Sequence, residues 1–176
     1  MRIRAILLMA ALPVFAQEIK MPASVERLAS KAVESVDVML DGALLQLAGR
    51  FLSGHKPDEA KVKNMLGGLK GIYVRSFEFS QEGEYTAEDV EAIRSQLRVP
   101  GWSKIVGVVS KKDKEHTEIY LKIEGGSIGG LVILAAEPKE LTLVHINGSI
   151  SLEKLSELGG HFGIPKVDVE KKPAKD

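Results

Sequence analysis

The sequence predicts an α+β domain in which helices pack on an antiparallel sheet, and three observations support this. Apolar residues recur at helical spacing mainly in the first half of the chain. The second half contains short β-branched and apolar segments that are typical of strands. Short turns join these segments, and short turns connect antiparallel neighbours. We therefore expect a β-meander of about four strands, one or two further N-terminal strands, and about four to five helices.

In the first half, three helices and one strand are expected. Pro22 suits the first turn of a helix, whose apolar stripe runs over residues 25–33. Val36, Val38 and Leu40 alternate with more polar neighbours and predict a short strand. Asp41 is a suitable cap for a second helix. The stripe of that helix is Leu44, Leu47, Ala48 and Phe51, and a third stripe is Val62, Met65, Leu66 and Leu69.

In the second half, strands dominate. Residues 72–79 predict a strand, and Thr86 with Asp89 forms a capping box that opens a helix. The meander candidates follow, and Ser151 caps a last helix. The four meander strands are expected at Trp102–Ser110, His116–Glu124, Ile128–Ala136 and Leu141–Asn147.

Two of these strands carry different burial patterns. In the strand at 116–124, Ile119 and Leu121 are expected in the core, while Glu118 and Tyr120 face water. The strand at 128–136 is apolar on both sides, so both of its faces should be covered. We expect the helices at 25–33 and 44–51, in preference to a partner subunit, to cover the face that carries Leu131 and Ile133. The protein should then be a monomer in which Leu131 is inaccessible.

The first sixteen residues, MRIRAILLMAALPVFA, have the order of a signal peptide. Arg2 and Arg4 precede an apolar run, and small residues precede Gln17, so cleavage after Ala16 is expected. The chain then divides into a signal peptide (1–16), a single α+β domain (17–166) and a charged, flexible tail (167–176). A periplasmic or secreted location follows.

Composition excludes several classes of function. The 24 basic and 24 acidic residues balance, so the chain lacks the charge that attracts nucleic acid or anionic membranes. The absence of cysteine excludes disulfides, thiolate metal sites and a cysteine nucleophile. Beyond the signal peptide, no apolar run has membrane-spanning length, so a transmembrane protein is not expected.

One motif raises the question of catalysis. Residues 125–129 read Gly-Gly-Ser-Ile-Gly and match the nucleophile elbow of serine hydrolases, with Ser127 at its centre. That motif requires a turn from a strand into a helix. Here the flanking segments are strand candidates, so a hairpin turn is the favoured interpretation. We therefore expect no catalytic residue.

The histidines do not predict a metal site. His55, His116, His145 and His161 are far apart, and none has a second ligand at the spacing of a metal-binding helix. His116 and His145 could still approach each other on the sheet, joined by Glu118 or Glu140. Satisfied or solvated histidines are the favoured interpretation, and no cofactor is expected.

An aromatic strand face is the best candidate for a binding surface. Tyr73, Phe77 and Phe79 lie on one side of their strand. They could form a platform for a lipid or peptide, but core packing beneath a helix is favoured. Leu131 and Ile133 complete the tentative ligand or partner surface, should they prove exposed.

Several segments resemble a known family. They are LDGALLQLAGRFL, GIYVRSFEF, GWSKIVGVV, EIYLKIEGGSIGGLVILAAEPKELTLVHINGSISLEKL and LGGHFGIP. They are similar to the bacterial domain-of-unknown-function family numbered 4252, over roughly residues 30–165. The resemblance implies a small exported bacterial protein in an envelope-stress setting, and it brings no activity, cofactor or catalytic residue.

These observations favour one function over two others. The first is a non-catalytic, exported binding or regulatory module that contacts an envelope protein or peptide. The second is a carrier of a lipophilic ligand, in which Tyr73, Phe77 and Phe79 line an apolar cavity. The third and least favoured is a small hydrolase that uses Ser127.

Overall fold

The computed structural model describes residues 18–52 and 57–150, which form one six-stranded antiparallel sheet with helices. The strand order is β1-β2-β6-β5-β4-β3. Several predicted features lie outside the described residues: the signal peptide, the helix expected after Ser151, the charged tail, His55 and His161.

The strands are β1 (Glu34–Asp41), β2 (Leu69–Glu78), β3 (Trp102–Ser110), β4 (Glu115–Glu124), β5 (Ser127–Glu137) and β6 (Glu140–Ile150). The helices are α1 (Ala23–Glu26), α2 (Gly42–Phe51), α3 (Pro57–Leu66) and α4 (Ala87–Ser95); 3₁₀ turns follow α1 (Arg27–Ser30) and α4 (Gln96–Arg98).

The predicted fold class is confirmed. Strands β3, β4, β5 and β6 form the expected meander, and β1 and β2 are the two additional N-terminal strands. All six strands belong to one sheet because β2 pairs with β6 as well as with β1. This arrangement leaves β1 and β3 as the two edges.

Local sequence signals for the helix starts are also confirmed. A carboxylate oxygen of Asp41 accepts the backbone N–H of Leu44 at 2.8 Å, as a helix cap does. Thr86 and Asp89 form a reciprocal capping box at the start of α4. The first helix is shorter than its apolar stripe suggested, since α1 continues as a 3₁₀ turn that ends at Ser30.

One face of the sheet, here called face 1, carries the larger core. It includes Phe77 of β2, Leu134 of β5 and Leu143 of β6. Helices α1 and α4 and the segment that precedes α1 cover these side chains. The covering residues include Ile19, Met21, Val25, Leu28, Val90, Ile93 and Leu97.

The opposite side, here called face 2, carries a second apolar cluster built around Leu131, which is only 1 % exposed. Leu131 is inaccessible, as predicted. The prediction that the first helix covers it is wrong. Val25 and Leu28 pack with Val132 and Leu134, which point to face 1. Side chains alternate between the two faces of a strand. A helix that packs on Val132 and Leu134 therefore cannot also cover Leu131. The described members of the face 2 cluster are Ile119, Leu121, Ile128, Leu131 and Ile150, with Leu69, Val106, Ile133 and Ile146 packed against it.

The expected wet side of β4 is also corrected. Glu118 and Tyr120 are buried, because they point to face 1. Ion pairs with Glu118 and apolar packing around Tyr120 offset the loss of water there.

Candidate interaction surface

The aromatic residues of β2, and Phe79 directly after it, lie in the core. Tyr73, Phe77 and Phe79 are all at least 94 % buried among helices and neighbouring strands. The ring centroids of Phe77 and Phe79 are 6.4 Å apart, and Tyr85 packs on Phe79 at 5.8 Å. Burial raises the pKa of Tyr73, whose hydroxyl oxygen accepts the backbone N–H of Met21 at 3.2 Å. These rings therefore offer no surface to a ligand in this structure.

Leu131 and Ile133 do not form an open surface either. Leu131 is buried, and Ile133 is half-buried against the face 2 cluster. The tentative ligand or partner surface defined by the aromatic residues and these two side chains is therefore mostly core.

A buried ion cluster is centred on Glu118, which is 2 % exposed. The side chain of Arg94 donates from Nε to Oε2 at 2.9 Å, and Lys104 donates from Nζ to Oε1 at 3.1 Å. The hydroxyl of Tyr120 also donates to Oε2, at 3.0 Å. Three elements thus converge on one carboxylate: α4, β3 and β4 itself.

The protonation of this cluster follows from its contacts. Burial alone would raise the pKa of Glu118, but hydrogen bonds from Arg94, Lys104 and Tyr120 hold it below the usual range. Burial and the neighbouring Glu118 carboxylate raise the pKa of Tyr120 to about 12. Glu118 is therefore an ionised and fully engaged acceptor.

The two described histidines are not brought together. His116 lies opposite Ala136 of β5, whereas His145 lies opposite Val132, further along the same strand. The ring of His116 approaches Glu118, with Nε2 at 3.4 Å from Oε1. Within residues 18–52 and 57–150, no three His, Asp or Glu side chains are grouped closely enough to hold a metal ion.

His145 instead holds the segment that precedes α1 against face 1. Its Nδ1–H donates to the carbonyl of Ile19 at 3.1 Å, and its ring meets Trp102 edge-on at 5.7 Å between centroids. Burial lowers the pKa of His145. Gln96 strengthens the same junction, because its side-chain amide donates to the carbonyl of Lys20 at 2.8 Å. Sequence reasoning missed this junction because its partners are more than 70 residues apart.

Ser127 does not lie on a nucleophile elbow. It is the first residue of β5 and lies opposite Glu124, so Gly125 and Gly126 form a turn between two antiparallel strands. Both glycines have positive φ values, 57° and 81°, as such hairpin turns require. The hydrolase hypothesis thus lacks the strand-to-helix turn on which it depended.

Helix α2 exposes three large apolar side chains. Leu44 is 46 % exposed, Leu47 is 47 % exposed and Phe51 is 80 % exposed. Their spacing places them on one side of the helix. Leu45, on another side, is fully buried and attaches α2 to the rest of the domain. The sequence predicted this stripe but assigned it to cover the sheet, because periodicity shows that residues share a side without showing what that side contacts.

No helix in the described parts of the chain combines the length and the apolar character needed for a membrane crossing.

Comparison with known proteins yields one family match. The family model described as Domain of unknown function (DUF4252) matches residues 29–158. That range contains all six strands and the helices α2, α3 and α4. Searches of curated proteins and of solved structures find no match.

Proposed function

The chain belongs to the DUF4252 family, and we propose that it is an exported, non-catalytic module that binds an envelope protein or peptide. The observation that carries the proposal is the exposed stripe of α2, formed by Leu44, Leu47 and Phe51. Exposed apolar side chains grouped on one helix are costly to keep in water and are typical of binding surfaces. A partner that contributes apolar side chains at helical spacing would fit this stripe.

Export is supported by the order of residues 1–16, in which a basic start, an apolar run and small residues before Gln17 follow one another. Cleavage after Ala16 would leave Ile19 as the third residue, and Ile19 is fully buried beneath α4 and beside His145. Mass spectrometry of the protein from a periplasmic fraction should give a chain that begins at Gln17. A chain that stays in the cytoplasm with Met1 would contradict the proposed location.

The binding proposal can be tested with photocrosslinking residues. A benzophenone amino acid placed at Leu47 should form a discrete adduct with an envelope protein in intact cells. The same group at Ile123, an equally exposed apolar residue on β4, is the matched control and should not form that adduct. The triple substitution of Leu44, Leu47 and Phe51 by serine should abolish co-purification of the partner.

Two results would contradict this assignment. One is an absence of any adduct from Leu44, Leu47 or Phe51. The other is a partner that binds the triple-serine protein as well as the native one. Circular dichroism should first show that the triple variant folds, which is expected because these side chains are exposed.

The carrier hypothesis receives less support. Its lining residues Tyr73, Phe77 and Phe79 fill the core. Two shallow cavities among the described residues are instead lined mainly by carboxylates, including Glu78, Glu115 and Glu140. Native mass spectrometry of the purified protein should therefore show no bound lipid.

A further inference from the structure

The two edges of the sheet carry opposite charges, and both expose apolar side chains. The β1 edge contains Glu34, Asp37 and Asp41 in eight residues. The β3 edge is followed by the turn Lys111-Lys112-Asp113-Lys114, whereas Lys104 within β3 is already paired with Glu118. Large side chains are exposed on both edges: Val36 and Met39 on β1, and Ile105, Val108 and Val109 on β3.

Edge strands present unpaired backbone groups that can pair with another chain. Proteins usually guard such edges with charge, with bulges or with covering elements. Here β3 has a bulge between Lys104 and Val106, and β1 has its three acidic residues. The acidic residues of β1 work against a copy of the same edge, since like charges on facing strands repel.

The same charges favour pairing between unlike edges. The sheet is antiparallel throughout and has six strands, so β1 and β3 run in opposite directions. A second copy shifted sideways would thus place its β1 antiparallel to β3 of the first, with both sheets keeping the same face upward. The Lys111-Lys112 end of β3 then meets the Glu34 end of β1, and Asp37 lies further along the same edge.

We propose that this chain associates with a second copy of itself, head to tail, through β3 of one molecule and β1 of the next. Each edge strand therefore pairs with the other edge strand of a second molecule. Complementary charges and the exposed apolar side chains of both edges favour this pairing. A single pair of short strands buries less surface than a stable dimer needs, so association depends on concentration. Dilute protein is monomeric, and crowded protein extends its sheet from molecule to molecule.

This inference does not rest on the proposed function, because α2 takes no part in it. It also does not depend on the cover of Leu131, which is buried within the single chain.

Sedimentation velocity tests the proposal over about three decades of concentration, from the µM to the mM range. The weight-average sedimentation coefficient of the native protein should rise with concentration. The rise should shrink as salt increases from about 0.15 M to about 1 M, because salt screens the paired charges. A native protein that stays monomeric across the whole range overturns the proposal.

Charge reversal distinguishes head-to-tail pairing from pairing of identical edges. The variant E34K/D37K should lose the concentration dependence, and so should K111E/K112E. An equimolar mixture of the two variants should regain it, since each then offers a partner of opposite charge. All four residues are exposed, and thermal unfolding checks that each variant folds.

Two further outcomes would overturn the assignment. If E34K/D37K associates as well as the native protein, β1 is not part of the contact. If the mixture stays as monomeric as its components, charge complementarity does not select the edges.

Discussion

The two faces of the sheet bury their side chains in different ways. Face 1 combines large aromatic residues with buried polar groups, and helices α1 and α4 cover it. Face 2 is aliphatic among the described residues of its cluster, and neither α1 nor α4 contributes to it. Both faces are apolar, yet α1 and α4 pack only on face 1. Face 1 also offers these helices and the segment before α1 specific polar partners.

Arg75 illustrates those partners. Its guanidinium lies 4.4 Å from the centroid of the Phe77 ring and pairs with Glu26 of α1, with Nη2 at 2.7 Å from Oε2. It also donates to the hydroxyl of Ser35 and to the carbonyl of Val36. The buried guanidinium of Arg75 in β2 thus links helix α1 to strands β1 and β2 on face 1.

The largest effect is expected from Phe77→Ala on face 1. The side chain is fully buried, so its removal should lower the free energy of unfolding by about 3–5 kcal/mol. Phe51→Ala is the matched control, because this exposed ring should change stability by no more than about 0.5 kcal/mol. Urea unfolding followed by circular dichroism measures both. Equal losses in the two variants would show that α2 is packed in solution.

A direct comparison of the faces uses two neighbouring leucines of β5. Leu131 and Leu134 are equally buried but point to opposite faces. Substitution of either by alanine should cost about 2–5 kcal/mol if both faces are well packed. A much smaller loss for Leu131→Ala would show that face 2 is loosely covered in the isolated protein.

A smaller effect is expected from Glu118→Gln, which keeps the shape of the side chain but removes its charge. Arg94 and Lys104 would lose their ionised acceptor, at a cost of about 1–3 kcal/mol. Both cations remain partly exposed and can be hydrated, which limits the loss. Glu124→Gln is the control, since Glu124 makes an exposed pair with Lys122 that is worth little.

The pH dependence of stability provides a second measurement on the same variant. Because the pKa of Glu118 is lowered on folding, its contribution is present above the ordinary value of 4.5 and is lost as pH falls below it. Glu118→Gln should therefore flatten the loss of stability below pH 4.5. An unchanged acid profile would contradict the role assigned to the cluster.

The smallest effect is expected from mild acidification through His145. Burial lowers its pKa, so the unfolded chain takes up the proton more readily, and stability falls as pH drops below the ordinary value of 6.5. His145→Asn, which cannot be protonated, should remove this slope between pH 6.5 and the lowered pKa. The measurement is thermal unfolding across that range. A slope that persists in the variant would assign it to another group.

Much of the fold could be predicted, and particular residues show why. Asp41 and Asp89 act within three residues of their partners, so local sequence reveals both helix starts. The short turn at Gly125-Gly126 makes β4 and β5 antiparallel neighbours, and the same reasoning orders the whole meander. These features depend on neighbours in the chain.

The candidate surface was predicted less well. Tyr73, Phe77 and Phe79 were correctly placed on one side of a strand, but only packing shows that this side is core. The stripe of α2 was recognised, yet its exposure was not. An amphipathic helix has the same periodicity whether its apolar side meets a sheet, a partner or water.

Local patterns in the amino-acid sequence indicate most of the elements, two helix caps, the antiparallel meander and the apolar character of both sides of β5. These properties follow from periodicity and from contacts within a few residues. The assembled fold is needed to show that Glu118 is buried, that Ile19 is hydrogen-bonded to His145, and that α1 covers Leu134 and not Leu131. The physical reason is that each of these outcomes joins residues that are distant in the chain. The energy of such contacts exists only once the sheet and helices have assembled.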